Sequence, residues 1–188
     1  NISFGDDWNL WMKFFLLGIF SIAAAILYTM GKKAYGYMGL GDFFVFIFFG
    51  LVGVLGTSYL FKQELLITTW LVAIGYGCLC VGVLNVNNIR DLDKDVLTNK
   101  ITIASKLGLR GSIIYQTLLI ISAFLTFSFY HLITGYYSLS PLLILIIGFI
   151  HIRKLREAQS ELDHNNQLKF LSLGSLGVVL VFIIRLFF

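Results

Sequence analysis

The stretch Asn87-Asn88-Ile89-Arg90-Asp91-Leu92-Asp93-Lys94-Asp95, followed by Asn99-Lys100-Ile101-Thr102 and Lys106-Leu107-Gly108, concentrates the side chains of this sequence that can do chemistry. It begins where a long apolar segment ends. If the backbone there is helical, Asn87, Asp91 and Asp95 fall at i, i+4 and i+8 and form one polar stripe, while Asp93 points elsewhere into solvent. Two carboxylates one turn apart suit a hard cation. Mg²⁺ keeps most of its waters and is held by one or two carboxylates together with substrate phosphates. Arg90, Lys94 and Lys100 are close enough in sequence to reach phosphate oxygens. A bland alternative exists, a solvated loop of mixed charge with Asp–Lys pairs. The apolar segment that leads into the stripe itself carries Asn85, Asn87 and Asn88, and polar groups at that depth usually face a cavity.

A second group is Tyr28-Thr29-Met30-Gly31-Lys32-Lys33. Tyr28 and Lys32 share a face if a helix persists past Gly31, which would aim a phenol and an ammonium at the same ligand. An interfacial Tyr and Lys are also the ordinary anchors of a membrane helix. Downstream, Asp42 opens another apolar run, where its structural role would be that of an N-cap. His131, His151 and His164 neither cluster nor make a metal-ligand spacing. Cys78 and Cys80 lie two apart in an apolar run, pointing in different directions, and read as buried spectators. No nucleophile elbow, P-loop or GxGxxG is present.

The elements that must position these residues are membrane helices. Of the 188 residues, 58% are hydrophobic and 13% charged, with a mean hydropathy of +0.87. Soluble domains carry about 25% charged residues, so a soluble chain of this composition is excluded. A crossing helix needs about 20 largely apolar residues. Six stretches qualify: Trp11–Thr29, Phe43–Phe61, Leu66–Val86, Ser112–Leu132, Leu139–His151 with a few flanking residues, and Leu168–Phe188. The fifth is the shortest, and Pro141 fits its first turn. The expectation is an all-α membrane protein, residues 1–188 forming a single transmembrane helical domain.

The connections alternate between short, nearly uncharged ones (61–65 and 131–138) and long, charged ones (30–42, 87–111 and 152–169), so the long ones share one side. Of the 14 Lys and Arg, all but Lys13, Lys62 and Arg185 lie on that side. The positive-inside rule places it in the cytoplasm. The pI near 9.1 is therefore a topology signal. No basic stripe interleaved with exposed aromatics suggests a nucleic-acid partner.

Asn87-Asn88-x-Arg90-Asp91-x-x-x-Asp95, with Lys100-x-Thr102 and Leu107-Gly108 behind it, resembles the second Asp-rich motif of the intramembrane aromatic prenyltransferases, the UbiA-type superfamily. Its Asn-Asn-x-Arg-Asp form is similar to that of the members that prenylate 1,4-dihydroxy-2-naphthoate. Tyr28-Thr29-x-Gly31 and Tyr35-Gly36-Tyr37-x-Gly39-Leu40-Gly41-Asp42 resemble the same members, and Tyr28-x-x-x-Lys32 is similar to the superfamily's Tyr-x-x-x-Lys element. Asn99 stands where those proteins usually have Gly.

The resemblance implies helices four to nine of a nine-helix bundle, with the part that carries the first Asp-rich motif preceding Asn1. It implies transfer of a polyprenyl group from its diphosphate to the naphthoate ring in menaquinone biosynthesis, in a bacterial plasma membrane. The implied metal is Mg²⁺, on Asn87, Asp91 and Asp95. Asp91, Asp95 and Lys32 would be catalytic, and Tyr28, Arg90, Lys100 and Asp42 would bind substrate. A superfamily member with another aromatic acceptor, and a non-catalytic membrane protein such as a cation transporter, are the competing expectations. Transport would favour ionisable residues in the middle of spans, of which the sequence has almost none.

Overall fold

In the computed structural model, which describes residues 8–30 and 34–187, the chain is a bundle of helices. They are α1 (Trp8–Thr29), α2 (Gly41–Lys62), α3 (Ile67–Arg90), the short α4 (Leu92–Leu97), α5 (Ile103–Thr134), α6 (Ser140–Glu157) and α7 (Glu161–Phe187). A 3₁₀ turn, Tyr35–Tyr37, precedes α2. The middle of α2, Phe46–Gly56, is wound as a π-helix.

Five of these helices are long and apolar enough to cross a membrane, α1, α2, α3, α5 and α7. The fifth expected crossing, α6, falls short of that standard. Its 18 residues end in a turn bearing Lys154 and Arg156. At 1.5 Å per residue it rises about 27 Å, just under the ~30 Å hydrocarbon core. It packs between α5 and α7 all the same. The chain is a multi-pass membrane protein.

Burial concentrates where α3, α5, α6 and α7 meet. One core gathers Leu79, Ile120, Ala123, Phe127, Ile144, Val178 and Phe182, and a second, nearer the Asp-rich end, gathers Val86, Ile89, Ala104, Ile113, Leu155 and Leu171. Buried amides and imidazoles tie the helices where apolar packing alone gives no register. Asn85 donates to the Ser112 carbonyl and to Gln116 Oε1 across α3 and α5, and His151 pairs with Gln167 across α6 and α7. Asn85 is thus an interhelical tie, not a cavity-facing group as its sequence position suggests. Between α2 and α3 the contact is backbone to backbone. A Cβ on Gly50 would lie 2.6 Å from the Gly77 Cα, an approach that small residues permit in membrane bundles.

The three charged connections come together at one end. The Ile101 amide donates to the Tyr37 carbonyl, and Met38 and Ile101 form an isolated parallel bridge. Arg90 reaches Asn165, and Lys94 pairs with Glu161, both across to α7. The connections are shorter than expected because the helices run on past the apolar stretches. Helix α5 starts at Ile103, capped by a reciprocal Thr102–Ser105 box, and bends at Gly108, whose φ of 66° is left-handed. Only residues 158–160 separate α6 from α7.

Candidate active site

The α3 helix brings the Asp-rich stretch to the charged end of the bundle. Backbone hydrogen bonds run on through its end, from the Asp91 amide to the Asn87 carbonyl at 3.1 Å and from the Asp95 amide to the Asp91 carbonyl at 2.8 Å. Helical spacing is therefore kept across the break at Asp91, with its φ of −93° and ψ of 8°. The turn then closes as the Lys100 amide donates to the Asp95 carbonyl.

Each carboxylate is held by a neighbouring cation. Arg90 Nε donates to Asp91 Oδ1 at 2.9 Å and its Nη2 to Asp91 Oδ2 at 2.8 Å, a two-point clamp, while its Nη1 holds Asn165. Lys100 Nζ stands 3.1 Å from both oxygens of Asp95, which is 5% exposed. Hydrogen bonds from the Arg90 guanidinium keep the Asp91 carboxyl below the usual carboxylate range. Partial burial opposes this, and the charges of Arg90, Lys94 and Lys100 add to it. Asp91 is thus an anion throughout the neutral range. Asp93 is exposed, as helical spacing requires. Lys94 is engaged at the surface with Glu161.

Asn87, one turn before Asp91, lines a cavity of about 550 Å³ between α2, α3 and α7. Its other walls are mostly apolar, among them Val45, Phe49, Leu79, Val83, Leu84 and Leu176, with Tyr76, Cys80, Ser172 and Ser175 as polar points. A second cavity of about 490 Å³ lies between α1 and α2, lined by Ser21, Tyr28, Phe44, Phe48 and Phe49 among others. Val45 and Phe49 line both. Tyr28 sits at the end of α1, which stops at Thr29. Its ring packs where a Cβ on Gly36 would be, 3.1 Å away. Lys32 and Lys33 lie outside the described residues, so the Tyr28–Lys32 pairing does too.

Asp42 corrects the capping expectation. The N-cap of α2 is Leu40, with no side-chain cap bond, and Asp42 sits buried in the first turn. Tyr115 on α5 is its electrostatic neighbour. Tyr115, Asn165 and Glu161 are site neighbours that no sequence spacing singles out.

Among the described residues, no group of three or more His, Cys, Asp or Glu could hold a metal by itself. Two ionised or ion-paired carboxylates on successive turns, beside an amide that opens on the cavity, fit a hydrated Mg²⁺ carried in by phosphate oxygens. They do not fit an all-protein cage.

Residues 2–174 match the UbiA prenyltransferase family. The chain belongs to that family. It is similar to 1,4-dihydroxy-2-naphthoate octaprenyltransferase of Haemophilus influenzae, at 49% identity over 104 residues, 55% of this chain and 34% of that protein. The protein of the same name from Escherichia coli is 35% identical over 150 residues, covering 80% of this chain and 48% of its own length. UbiA prenyltransferase domain-containing protein 1 of Dictyostelium discoideum is 32% identical over 87% of this chain and 51% of its own. The chain therefore spans a third to a half of the length of these relatives. No solved structure matches it.

Proposed function

We propose that this chain takes part in transferring a polyprenyl group from its diphosphate to 1,4-dihydroxy-2-naphthoate, a step of menaquinone biosynthesis. The observation that carries the proposal is the placement of Asp91, Asp95, Arg90 and Lys100 directly behind Asn87, at the head of an apolar cavity. A prenyl diphosphate has that same polarity, a highly charged head on an apolar tail. The Haemophilus and Escherichia relatives, both named 1,4-dihydroxy-2-naphthoate octaprenyltransferase, support the acceptor.

In this reading Asp91 and Asp95, with the Asn87 amide beside them, would hold Mg²⁺, which would supply positive charge for a departing diphosphate. Arg90 and Lys100 exchange part of their present hold on the carboxylates for phosphate oxygens, and the planar Arg90 fork suits two-point contact with such a group. Lys32 is assigned to the same anion by its likeness to the family's Tyr-x-x-x-Lys element, and Tyr28 to the substrate side of the smaller cavity. The apolar walls take the prenyl tail and keep water from the allylic carbon as its C–O bond weakens. Aromatic faces such as Tyr76 and Phe49 stabilise positive charge developing there. The Asp-rich end is assigned to the cytoplasm by the charge asymmetry.

The test is product analysis. Membranes containing the protein expressed from its own gene are given Mg²⁺, farnesyl, geranylgeranyl or octaprenyl diphosphate, and either 1,4-dihydroxy-2-naphthoate or 4-hydroxybenzoate. Mass spectrometry should find a prenylated naphthoquinol. Product from the benzoate alone would overturn the acceptor, and no prenylated product from either would overturn the reading.

A further inference from the structure

Arg90 has two hydrogen-bond partners among the described residues, and they differ in kind. Asp91 takes Nε and Nη2 through its two carboxylate oxygens, at 2.9 and 2.8 Å, and Asn165 takes Nη1 through its side-chain carbonyl, at 3.1 Å. Asp91 is the next residue in the chain and moves with Arg90. Asn165 belongs to α7 and does not. Three of the five guanidinium N–H groups are engaged in this way, which leaves one on each terminal nitrogen for an anion. The Arg90 side chain is 22% exposed, so a ligand can reach it.

The bond to Asn165 lies at the head of the larger cavity. Arg90 follows Asn87 by three residues on α3, and Asn165 precedes Leu168 by three on α7. That spacing puts each pair on one helix face. Asn87 and Leu168 both line the cavity, so the Arg90–Asn165 bond joins two of its walls at their charged end. The chemistry of the tie is also informative. A carboxylate at position 165 would make the stronger bond. Asp91 already balances the guanidinium, however, and a second carboxylate would leave excess negative charge where a diphosphate has to sit. An amide oxygen fixes the plane of the fork without cancelling its charge.

We infer that Asn165 is a positioning residue for prenyl-diphosphate binding, holding the Arg90 guanidinium across the head of the larger cavity for the anion. The inference rests on the prenyl-transfer reading. As phosphate oxygens draw Arg90 away from Asp91, the bond to Asn165 keeps the fork in place.

Steady-state kinetics test this on the protein expressed from its own gene and purified in detergent. Each substrate is varied in turn, with inorganic diphosphate as a competing inhibitor. Asn165→Ala should raise KM for the prenyl diphosphate and Ki for inorganic diphosphate about 10-fold, with the acceptor KM at its wild-type value. Asn165→Asp keeps the oxygen that Arg90 holds and should melt near wild type, yet it should raise the same two constants. A side chain that only tied α7 to α3 would leave them unchanged in Asn165→Asp. In an Arg90→Lys background, which lacks the planar fork, Asn165→Ala should add no more than about 2-fold. Wild-type prenyl diphosphate KM in Asn165→Ala overturns the inference, as does an equal rise in both substrates' KM or an undiminished effect in Arg90→Lys. If Asn165→Ala melts well below wild type, Asn165→Asp decides, and wild-type constants there overturn the inference. Failure of the wild type to prenylate any acceptor would count against the underlying reading instead.

Discussion

The two carboxylates of the Asp-rich stretch are held in unlike ways, and this sets what their variants do. Asp91 shares its charge with an arginine that is also tied to α7 through Asn165. Asp95 is nearly buried and depends on Lys100. Lys100→Ala should strand that carboxylate, with a loss of about 1–3 kcal/mol of stability. The paired change Asp95→Asn with Lys100→Gln leaves no buried charge and should melt closer to wild type. Thermal melting in detergent checks this, and a double variant no more stable than Lys100→Ala would contradict it. The stripe of Asn87, Asp91 and Asp95 was legible from spacing alone, as was the outward turn of Asp93, because both follow from helix period. Arg90's second partner and the Lys94–Glu161 pair were not, since 75 and 67 residues separate the partners and nothing in the chain marks them. Tyr115 was hidden for the same reason: an aromatic in an apolar helix looks like packing until the helix opposite is placed.

Apolar length identified the helices well, because the bilayer fixes that length. It misjudged their ends, because helices that leave the membrane continue on polar residues. The start of α7 carries a usable signal. Ser160 and Asp163 make a reciprocal cap, with Asp163 Oδ2 accepting from the Ser160 amide and the Asp163 amide donating to Ser160 Oγ. Its Ser-x-x-Asp spacing is that of a capping box. The α2–α3 seam is not marked in this way. Of the many glycines, only the structure shows that Gly50 and Gly77 face each other. A Cβ at Gly50 meets backbone, which no side-chain adjustment relieves. Gly50→Ala should therefore push α2 from α3, lower stability by about 1–3 kcal/mol, and shift the melting temperature down. Gly18→Ala, in α1 with nothing within 4 Å of the new Cβ, is the control and should melt like wild type.

At the scale of the molecule, the alternation of short and charged connections placed all the chemistry-bearing residues on one side. The contacts of Ile101 with Tyr37, of Arg90 with Asn165 and of Lys94 with Glu161 bring those connections together there. Two cavities open beneath that end and share the wall formed by Val45 and Phe49. Neither was readable from the sequence, because a cavity is what packed helices leave unfilled. The basic-residue bias predicts that Cys substituted at Lys100 or Arg156 reacts with a membrane-impermeant thiol reagent only from the cytoplasmic side. Labelling of Lys100→Cys from outside in intact cells would reverse the orientation. The central claim is that Asp91 and Asp95 together anchor the charged head of the prenyl donor. It is tested most directly by measuring prenylated product against Mg²⁺ concentration for Asp91→Asn, Asp93→Asn and Asp95→Asn in the protein expressed from its own gene. Asn keeps the shape and loses the charge, so Asp91→Asn and Asp95→Asn should each lower turnover about 10²–10³-fold and need more Mg²⁺, while Asp93→Asn stays near wild type. Equal, small effects at all three positions, or full activity of Asp91→Asn at low Mg²⁺, would contradict it.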